Sequence, residues 1–272
     1  VLEGEEVALV SNESALSSEM GPVLEAINAC RKNGTVAGRY VEPTAAQFAS
    51  MEKAMGKFIA TGKVTTPSGF SKKQLTKSLV LFCQSTNKGG GAYLLRTGEA
   101  TDAIIEVPHS FYDVGTLDVG MEMFSRMNAR AMFVSTVHRY KGANCVDKGL
   151  DEEDNGCKSD AAHSKNHLFQ AAHKGMLEAD GSLLVYAAHG FAPRKGNPDA
   201  IVSHADTAAC WTGVVDSLNE NLPSFLAFEY GQDIKELGGT RGIQARQLQD
   251  IGGRMMHIEL SKKLRTAIKD DA

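Results

Sequence analysis

The chain has 272 residues, of which 42% are hydrophobic and 23% are charged, the balance of an ordinary globular protein with room for one large or two small α/β domains. Its formal net charge of −4 gives no electrostatic support for binding nucleic acid. No apolar run approaches the roughly 18 to 20 residues that a membrane-spanning helix needs, so the sequence predicts no membrane span.

Apolar residues recur at helical spacing in two stretches near the N-terminus. Residues 14–33 predict a helix, which Pro22 is expected to break or to restart. Residues 44–60 repeat the pattern and predict a second helix. We expect residues 1–80 to form a helical preface that packs on a core of residues 81–272, within one compact domain.

Strands and helices alternate along the rest of the chain. The predicted strands are 78–84, 89–96 after a glycine turn, 103–107, 131–136, 182–188, 225–229 and 255–260. The predicted helices are 116–127, 164–177 and 241–250. This alternation is typical of a mixed, largely parallel α/β sheet with helices on both faces. In such sheets, ligands bind beyond the carboxyl ends of the strands.

Three of the predicted strands end on a histidine, namely His109, His138 and His189. A hydrolytic zinc site needs three protein ligands drawn from His, Asp or Glu, and it leaves a fourth position to a water whose pKa the metal lowers. His109 and Asp113 supply two ligands from one loop. His189 brings a third from a neighbouring strand end, where Gly190 lets the backbone turn sharply. We therefore predict one Zn²⁺ held by His109, Asp113 and His189, although any one histidine is more often a hydrogen-bonded core or surface residue.

The closing segment MMHIEL alternates between apolar and polar residues, with His257 and Glu259 on the face opposite the apolar ones. Such a strand can aim the Glu259 carboxylate at the water as a general base. Periodicity alone favours a plainer alternative, in which Glu259 is a solvated residue on an edge strand.

Further polar residues lie close to these elements. The segment HRYKG supplies His138 and Arg139 as candidate substrate contacts. Arg139 can bind a substrate carboxylate through two parallel hydrogen bonds. Arg139 can instead pair with the acidic loop 151–154. His163, at the start of a predicted helix, is a candidate contact to the substrate or to a metal ligand. His173 lies near the apolar stripe of the same helix and is expected to pack or cap.

The chain contains five cysteines: Cys30, Cys83, Cys145, Cys157 and Cys210. If a signal peptide was removed before Val1, the cysteines can form two disulfides and leave one thiol. We expect a bond between Cys145 and Cys157, which bracket a polar, acidic loop, and secretion or a periplasmic location. Five reduced cysteines in a cytoplasmic enzyme fit the sequence equally well.

The order of these motifs resembles that of a known group of metallohydrolases. VPHS after a strand resembles the opening metal motif of N-formylglutamate amidohydrolases. HGF after a later strand and GRMMHIELSKKLR near the end are similar to motifs of the zinc carboxypeptidase-like superfamily. Its phage poly-γ-glutamate hydrolases also close on an apolar strand, Glu-Leu, then Ser and Leu-Arg. The resemblance spans about residues 103–265, as short motifs and not as continuous similarity.

This resemblance implies a mixed α/β sheet with one Zn²⁺ bound by the three ligands named above, and with Glu259 as the general base. The arginines that hold substrate carboxylates in the family map to Arg139 and to Arg246. The first motif departs from the carboxypeptidase pattern, because this chain has HxxxD where carboxypeptidases have HxxE. Asp118 is therefore the alternative acidic ligand if Asp113 does not bind the metal.

The leading hypothesis is a zinc-dependent hydrolase of an amide bond, or of an ester. Its substrate is expected to be a small molecule, peptide or polymer that carries a carboxylate. A metal-dependent esterase or phosphoesterase using the same centre is one alternative, although no second acidic cluster suggests a two-metal phosphatase. A non-catalytic metal- or ligand-binding module on the same fold is another. Glu259 argues against that module, because a storage site needs no base.

Overall fold

A computed structural model describes residues 13–84, 86, 88–142, 145, 157–204 and 213–270. Three features of the sequence lie outside these described residues: the start of the chain at Val1, the acidic loop at 151–154, and Cys210.

The helices and strands alternate much as the sequence predicts. The helices are α1 (Glu13–Cys30), α2 (Ala45–Thr61), α3 (Thr116–Arg126), α4 (Leu168–Ala179), α5 (Val214–Asn221), α6 (Ile243–Ile251) and α7 (Lys262–Asp270). The strands are β1 (Phe70–Gln74), β2 (Leu79–Gln84), β3 (Ala92–Arg96), β4 (Thr101–Val107), β5 (Ala129–Val134), β6 (Leu184–Gly190), β7 (Ala200–His204), β8 (Ala227–Glu229) and β9 (Arg254–Leu260).

All of these strands belong to one nine-stranded sheet in the order β1-β2-β3-β5-β4-β6-β9-β7-β8. The pairings β4–β5, β4–β6, β6–β9 and β7–β8 are parallel, and the pairings β1–β2, β2–β3, β3–β5 and β7–β9 are antiparallel. The predicted mixed α/β sheet is therefore confirmed. Its centre, β5-β4-β6-β9, is parallel, and parallel neighbours require crossover connections. These contain α3 between β4 and β5, α4 between β5 and β6, and α6 directly before β9.

Apolar helices cover both faces of this sheet. Adjacent residues of β4 face opposite sides: Ile104 packs in a cluster with α2, α4 and α6, and Ile105 packs in a cluster with α1 and α3. Both isoleucines are fully buried, as expected for a strand in the middle of a covered sheet. The predicted preface contributes α1 and α2 to opposite faces and β1 to an edge. The domain boundary at residue 80 stays a prediction.

The helix α1 continues through Pro22, so the expected break at this residue is wrong. A proline inside a helix costs roughly 3 kcal/mol, because it removes a hydrogen bond and crowds the preceding turn. Here Val23 and Ile27 are buried on the sheet, and Cys30 is joined to Cys83 of β2 by a disulfide. These tertiary contacts favour the unbroken helix.

Strand β7 was not predicted, and its position changes the setting of the closing strand. Because β7 pairs with the outer side of β9, β9 is an internal strand with β6 on its other side. Glu259 is only 8% exposed. The plainer alternative of a solvated glutamate on an edge strand is therefore wrong.

The described cysteines form two disulfides. The expected bond between Cys145 and Cys157 is present, with Cα atoms 4.5 Å apart. The bond between Cys30 and Cys83, with Cα atoms 5.6 Å apart, was not singled out from the sequence. Both Cα separations are usual for disulfides. Within the part of the chain that the structure describes, no helix combines the length and the apolar character that crossing a bilayer requires.

Candidate metal centre

The carboxyl ends of three parallel strands converge on one cluster of polar side chains. His109 follows β4 after Pro108, and His189 and Glu259 are register partners near the ends of β6 and β9. A cleft of about 400 Å³ opens over this edge of the sheet, and all three side chains line it. This is the position at which parallel α/β sheets bind ligands.

His109, Asp113 and His189 are all buried and offer ligand atoms that lie within 4.8 Å of one another. Asp113 Oδ2 lies 3.4 Å from His109 Nδ1 and 3.7 Å from His189 Nδ1. A turn closed by the Asp113 N–H on the His109 carbonyl oxygen brings the first two together. Two ligands of a tetrahedral zinc ion, each about 2.0 Å from the metal, are roughly 3.3 Å apart, so these separations suit a shared ion.

The ring of His109 is oriented by a residue that the sequence did not reveal. Its Nε2 lies 2.9 Å from Oδ1 of Asp160, which is fully buried. When Nε2–H donates to this carboxylate, Nδ1 keeps its lone pair, and this nitrogen lies 3.4 Å from Asp113 Oδ2 and 3.4 Å from Nη1 of Arg139. Such a carboxylate behind a histidine fixes the tautomer and orients the ring of a metal ligand.

Asp160 also binds Arg139, one of the predicted substrate contacts. Arg139 donates to the other carboxylate oxygen, Oδ2, from Nη2 over 2.6 Å and from Nε over 2.9 Å. Burial raises the pKa of Asp160, but His109, His163 and Arg139 outweigh it and hold that pKa well below its usual range. Burial and Arg139 lower the pKa of His109, whereas Asp160 and Asp113 raise it and prevail.

His189 has the opposite electrostatic setting. Burial, together with the neighbouring His257, His109 and Arg139, lowers the pKa of His189 well below its usual value. The ring is therefore neutral at neutral pH, which is the form that binds a metal ion.

Gly190 lies within β6 and pairs with Leu260, so the sharp turn expected at this glycine is wrong. The glycine is instead required for space. A Cβ at this position would collide with Nη1 of Arg265 and lie 3.1 Å from Cβ of Asp113. Arg265, on α7, is buried, and its Nε and Nη1 find no hydrogen-bond partner among the described residues. Burial lowers the pKa of Arg265 and outweighs the charges of Asp113 and Glu259, which raise it.

A second group of candidate ligands shares one member with the first. His109, Asp160 and His163 also lie within 4.8 Å of one another. In this group the Asp160 carboxylate is already bound by the Arg139 guanidinium, which would repel a metal ion. The residues of the first group fit a metal ion better, because their carboxylate faces two histidine nitrogens and Arg139 lies no nearer to this group than the 3.4 Å between its Nη1 and His109 Nδ1 among the described contacts.

The remaining predicted residues are distributed unevenly. His163 lines the cleft, with its Nδ1 3.3 Å from Asp160 Oδ2. His138 packs against the rings of Tyr112 and Tyr140, which also contact each other, and it is not part of the cleft lining. Arg246 lies on α6 and is also absent from that lining. Their roles in substrate binding stay predictions.

His257 is a further cleft residue to which sequence analysis gave no role. Its Nε2 lies 3.3 Å from Glu259 Oε1, and its ring centroid lies 4.4 Å from that of His189. The two-residue period of β9 puts His257 and Glu259 on one face, so the alternation in MMHIEL was the available signal.

The predicted helix 164–177 begins four residues later than expected, as α4 at Leu168. Asp160 accepts the Ala162 N–H, which holds the preceding segment in turns, and His167 Nδ1 caps the helix by accepting the Phe169 N–H. His163 therefore lies in a turn over the cleft and not on the helix.

No protein-family model matches the chain, and no curated protein matches its sequence. Several solved structures are similar in arrangement. N-formylglutamate amidohydrolase from Ralstonia eutropha JMP134 is 15% identical, with 66% of this chain and 92% of that chain covered and a TM-score of 0.38. A metallo-carboxypeptidase from Burkholderia cenocepacia is 10% identical, with coverages of 82% and 61% and a TM-score of 0.37. The LapA aminopeptidase of Legionella pneumophila is 9% identical, with coverages of 97% and 68% and a TM-score of 0.39.

Proposed function

We propose that this protein is a zinc-dependent hydrolase that cleaves an amide bond. One observation carries the proposal: three buried side chains of the types that bind catalytic zinc converge beside a buried carboxylate, at the carboxyl edge of a sheet and under an open cleft. Two histidines and one carboxylate are a usual protein ligand set for a hydrolytic zinc ion.

In this proposal His109, Asp113 and His189 hold the metal. When bound there, zinc would polarise the scissile carbonyl and lower the pKa of a water molecule. Asp160 keeps the ring of His109 in the orientation for binding, and the depressed pKa of His189 keeps its ring in the neutral form. His189 is therefore prepared for binding, whereas the raised pKa of His109 means that this ring gives up a proton when the metal binds.

Glu259 acts as the general base. Its carboxylate lines the cleft beside His189 and receives the proton of the water that attacks the amide carbonyl. Glu259 then delivers that proton to the leaving nitrogen, which departs as an amine. His257 lies within hydrogen-bonding distance of Oε1, so it can hold the Glu259 side chain in place during both transfers.

The variant Glu259→Gln tests this function. Glutamine has nearly the shape of glutamate but cannot accept the proton, so we expect turnover to fall by about 10² to 10⁴. Metal content and melting temperature should stay unchanged. The matched control is Glu122→Gln, which removes an acid from an ion pair with Arg126 on α3.

The assay uses N-acyl amino acids, short peptides and esters, with and without a chelator. Elemental analysis measures the metal content of each protein. Near-normal turnover in a zinc-loaded Glu259→Gln protein would contradict the mechanism. Activity that survives complete removal of metal would contradict the class of enzyme.

We also infer that the protein works outside the cytoplasm. Two disulfides link Cys30 to Cys83 and Cys145 to Cys157. Such bonds persist in oxidising compartments and are rare where glutathione and thioredoxin keep thiols reduced. Mass spectrometry of a non-reduced digest, made from protein taken from its native compartment, tests this inference, and free thiols at all four positions would contradict it.

A further inference from the structure

The residue that follows α1 contacts the loop that carries two of the candidate metal ligands. Arg31 donates from Nη2 to the carbonyl oxygen of Ser110 over 2.8 Å and from Nε to Ser110 Oγ over 3.2 Å. The carbon of its guanidinium also lies 4.2 Å from the centroid of the Phe111 ring. Ser110 and Phe111 lie between His109 and Asp113 in the chain. One side chain from the N-terminal preface therefore contacts this loop at three points.

Arg31 is also held from the side of its own helix. Its Nη1 donates to Asn28 Oδ1, one helical turn earlier, over 2.7 Å. The preceding residue, Cys30, is joined to Cys83 of β2 by a disulfide. Burial lowers the pKa of Arg31 to about 10, against the charge of Asp118, so the guanidinium stays protonated at neutral pH. A charged donor makes stronger hydrogen bonds than a neutral one, so this contact with the loop is a firm one.

The chain after Arg31 packs against the same loop and against the next one. Gly34 lies so close to the Phe111 ring and to the backbone oxygen of Thr136 that a Cβ at this position would collide with both. The carbonyl oxygen of Gly34 accepts the N–H of His138, which directly precedes Arg139, over 2.8 Å. Residues 31–34 therefore join the loop of the candidate ligands to the segment that carries Arg139.

The contact with Ser110 has a direct consequence for the two ligands. Ser110 is only 4% exposed, so its carbonyl oxygen needs a partner within the protein, and Arg31 supplies one. His109 directly precedes Ser110, and the turn that places Asp113 is closed by the Asp113 N–H on the His109 carbonyl oxygen. A shift of Ser110 would therefore move both ligands. A set of binding residues tolerates displacements of only about 0.5 Å.

We infer that Arg31 is a positioning residue that holds the loop of His109 and Asp113 in its metal-binding conformation. For the role of the metal, this inference rests on the proposed function. The resemblance to known metallohydrolases extends over residues 103–265 only, so it gives α1 no part in the site. The structure gives this helix such a part, through the contacts of Arg31 with Ser110.

The variant Arg31→Met tests this role, because methionine keeps an unbranched stem against Phe111 and removes every donor. Competition with a chelating dye measures the zinc affinity of the full chain. Limited proteolysis with chymotrypsin, which cleaves after Phe111 and Tyr112, measures how often the loop opens in the metal-free protein. We expect zinc affinity to fall about tenfold, as for other groups that orient metal ligands, and cleavage at these two sites to become about threefold faster or more.

Arg130→Met is the matched control. Arg130 also donates to two backbone oxygens of a turn, those of Gly98 and Ala100, but it does so at the amino end of β5. Because β5 runs parallel to β4, this end of the sheet lies opposite the candidate metal centre. We expect Arg130→Met to leave zinc affinity and both cleavage rates unchanged, whatever its effect on the melting temperature.

Unchanged zinc affinity, or unchanged cleavage, in folded Arg31→Met would overturn the inference. Equal changes in Arg31→Met and Arg130→Met would overturn it too, because they would indicate a general loss of stability. If Arg31→Met does not fold, Arg31→Lys decides, since lysine keeps the charge but cannot donate from two nitrogens; wild-type values in this variant would overturn the inference. A wild-type protein that binds no zinc would contradict the proposed function alone, and the cleavage rates would then decide whether Arg31 holds the loop.

Discussion

The contact between Gly190 and Arg265 makes a sharp prediction about Gly190→Ala. The added Cβ would occupy the place of Arg265 Nη1, so the guanidinium must move out of a buried position. Forcing an extra methyl group into a packed interior typically costs about 1 to 3 kcal/mol. Because Nε and Nη1 of Arg265 have no hydrogen-bond partner among the described residues, moving the guanidinium breaks no hydrogen bond of these two atoms. We expect the free energy of unfolding to fall by about 1 to 3 kcal/mol, which corresponds to a drop of roughly 2 to 10 °C in melting temperature.

The same movement disturbs the candidate metal centre, because Arg265 acts on Asp113 and Gly190 follows His189 directly. We expect the affinity for zinc to fall about tenfold or more. Urea denaturation of the metal-free protein measures stability, and competition with a chelating dye measures zinc affinity. Gly21→Ala is the matched control, since Gly21 is exposed in α1 and its added Cβ would contact nothing within 4 Å.

A double-mutant cycle with Arg265→Ala isolates the contact itself. With the guanidinium absent, Gly190→Ala should cost less than about 1 kcal/mol, so the two changes should be strongly non-additive. Additive effects, or a harmless Gly190→Ala in the wild-type background, would refute the argument that this glycine exists to make room for Arg265.

Three further predictions follow from the geometry. Asp160→Asn should lower zinc affinity by about 10 to 100-fold in the dye competition, because the amide orients His109 less strongly; unchanged affinity would contradict the role given to Asp160. Replacing both Cys30 and Cys83 by alanine should reduce the free energy of unfolding, measured by urea denaturation, by about 4 kcal/mol, because the bond closes a 53-residue loop. Replacing both Cys145 and Cys157, which close a 12-residue loop, should reduce it by about 3 kcal/mol. A smaller loss for the first pair than for the second would contradict the loop-entropy account. Burial lowers the pKa of His167 to about 4 in the fold, so the unfolded chain binds more protons than the folded one between about pH 4 and pH 6.5, and stability should fall as the pH drops through that range. The variant His167→Asn, which can keep the helix cap, should remove up to about 3 kcal/mol of this pH dependence. An unchanged pH profile of stability would contradict the assignment.

Local patterns in the sequence predicted most elements of the fold. The helix α2, predicted at 44–60, begins and ends within one residue of that prediction, because its boundaries depend on nearby residues. Thr44 and Gln47 form a capping box, and Gly62 adopts the left-handed conformation that closes the helix. The buried strands β4 and β6 were equally visible as apolar runs. Strand β7 was missed because it has only five residues and gains its place by pairing with β9, far along the chain.

The candidate ligands were visible for a related reason. Parallel strands bring their carboxyl ends together, so His109 and His189, at the ends of β4 and β6, lie near one another. His138 comes four residues after the end of β5 and packs away from the cleft. Asp160, Arg265 and the pair of Glu106 with His173 could not be found in this way. Asp160 acts on His109, and His173 acts on Glu106, each across more than 50 residues of the chain. Arg265 reaches the site because α7 packs on the sheet. No spacing in the sequence indicates such contacts.

The register between β6 and β9 limits how this protein can diverge in evolution. His189 and Glu259 face each other as backbone partners, so their separation is fixed by the hydrogen-bond ladder and not by loops. Because side chains alternate from face to face, inserting or deleting one residue within either strand would turn the histidine or the glutamate to the opposite side of the sheet. Changes in chain length can therefore accumulate between the two strands, from 191 to 253, without altering this pairing. Descendants of this sequence can vary the walls of the cleft widely while the distance between these two side chains is inherited unchanged.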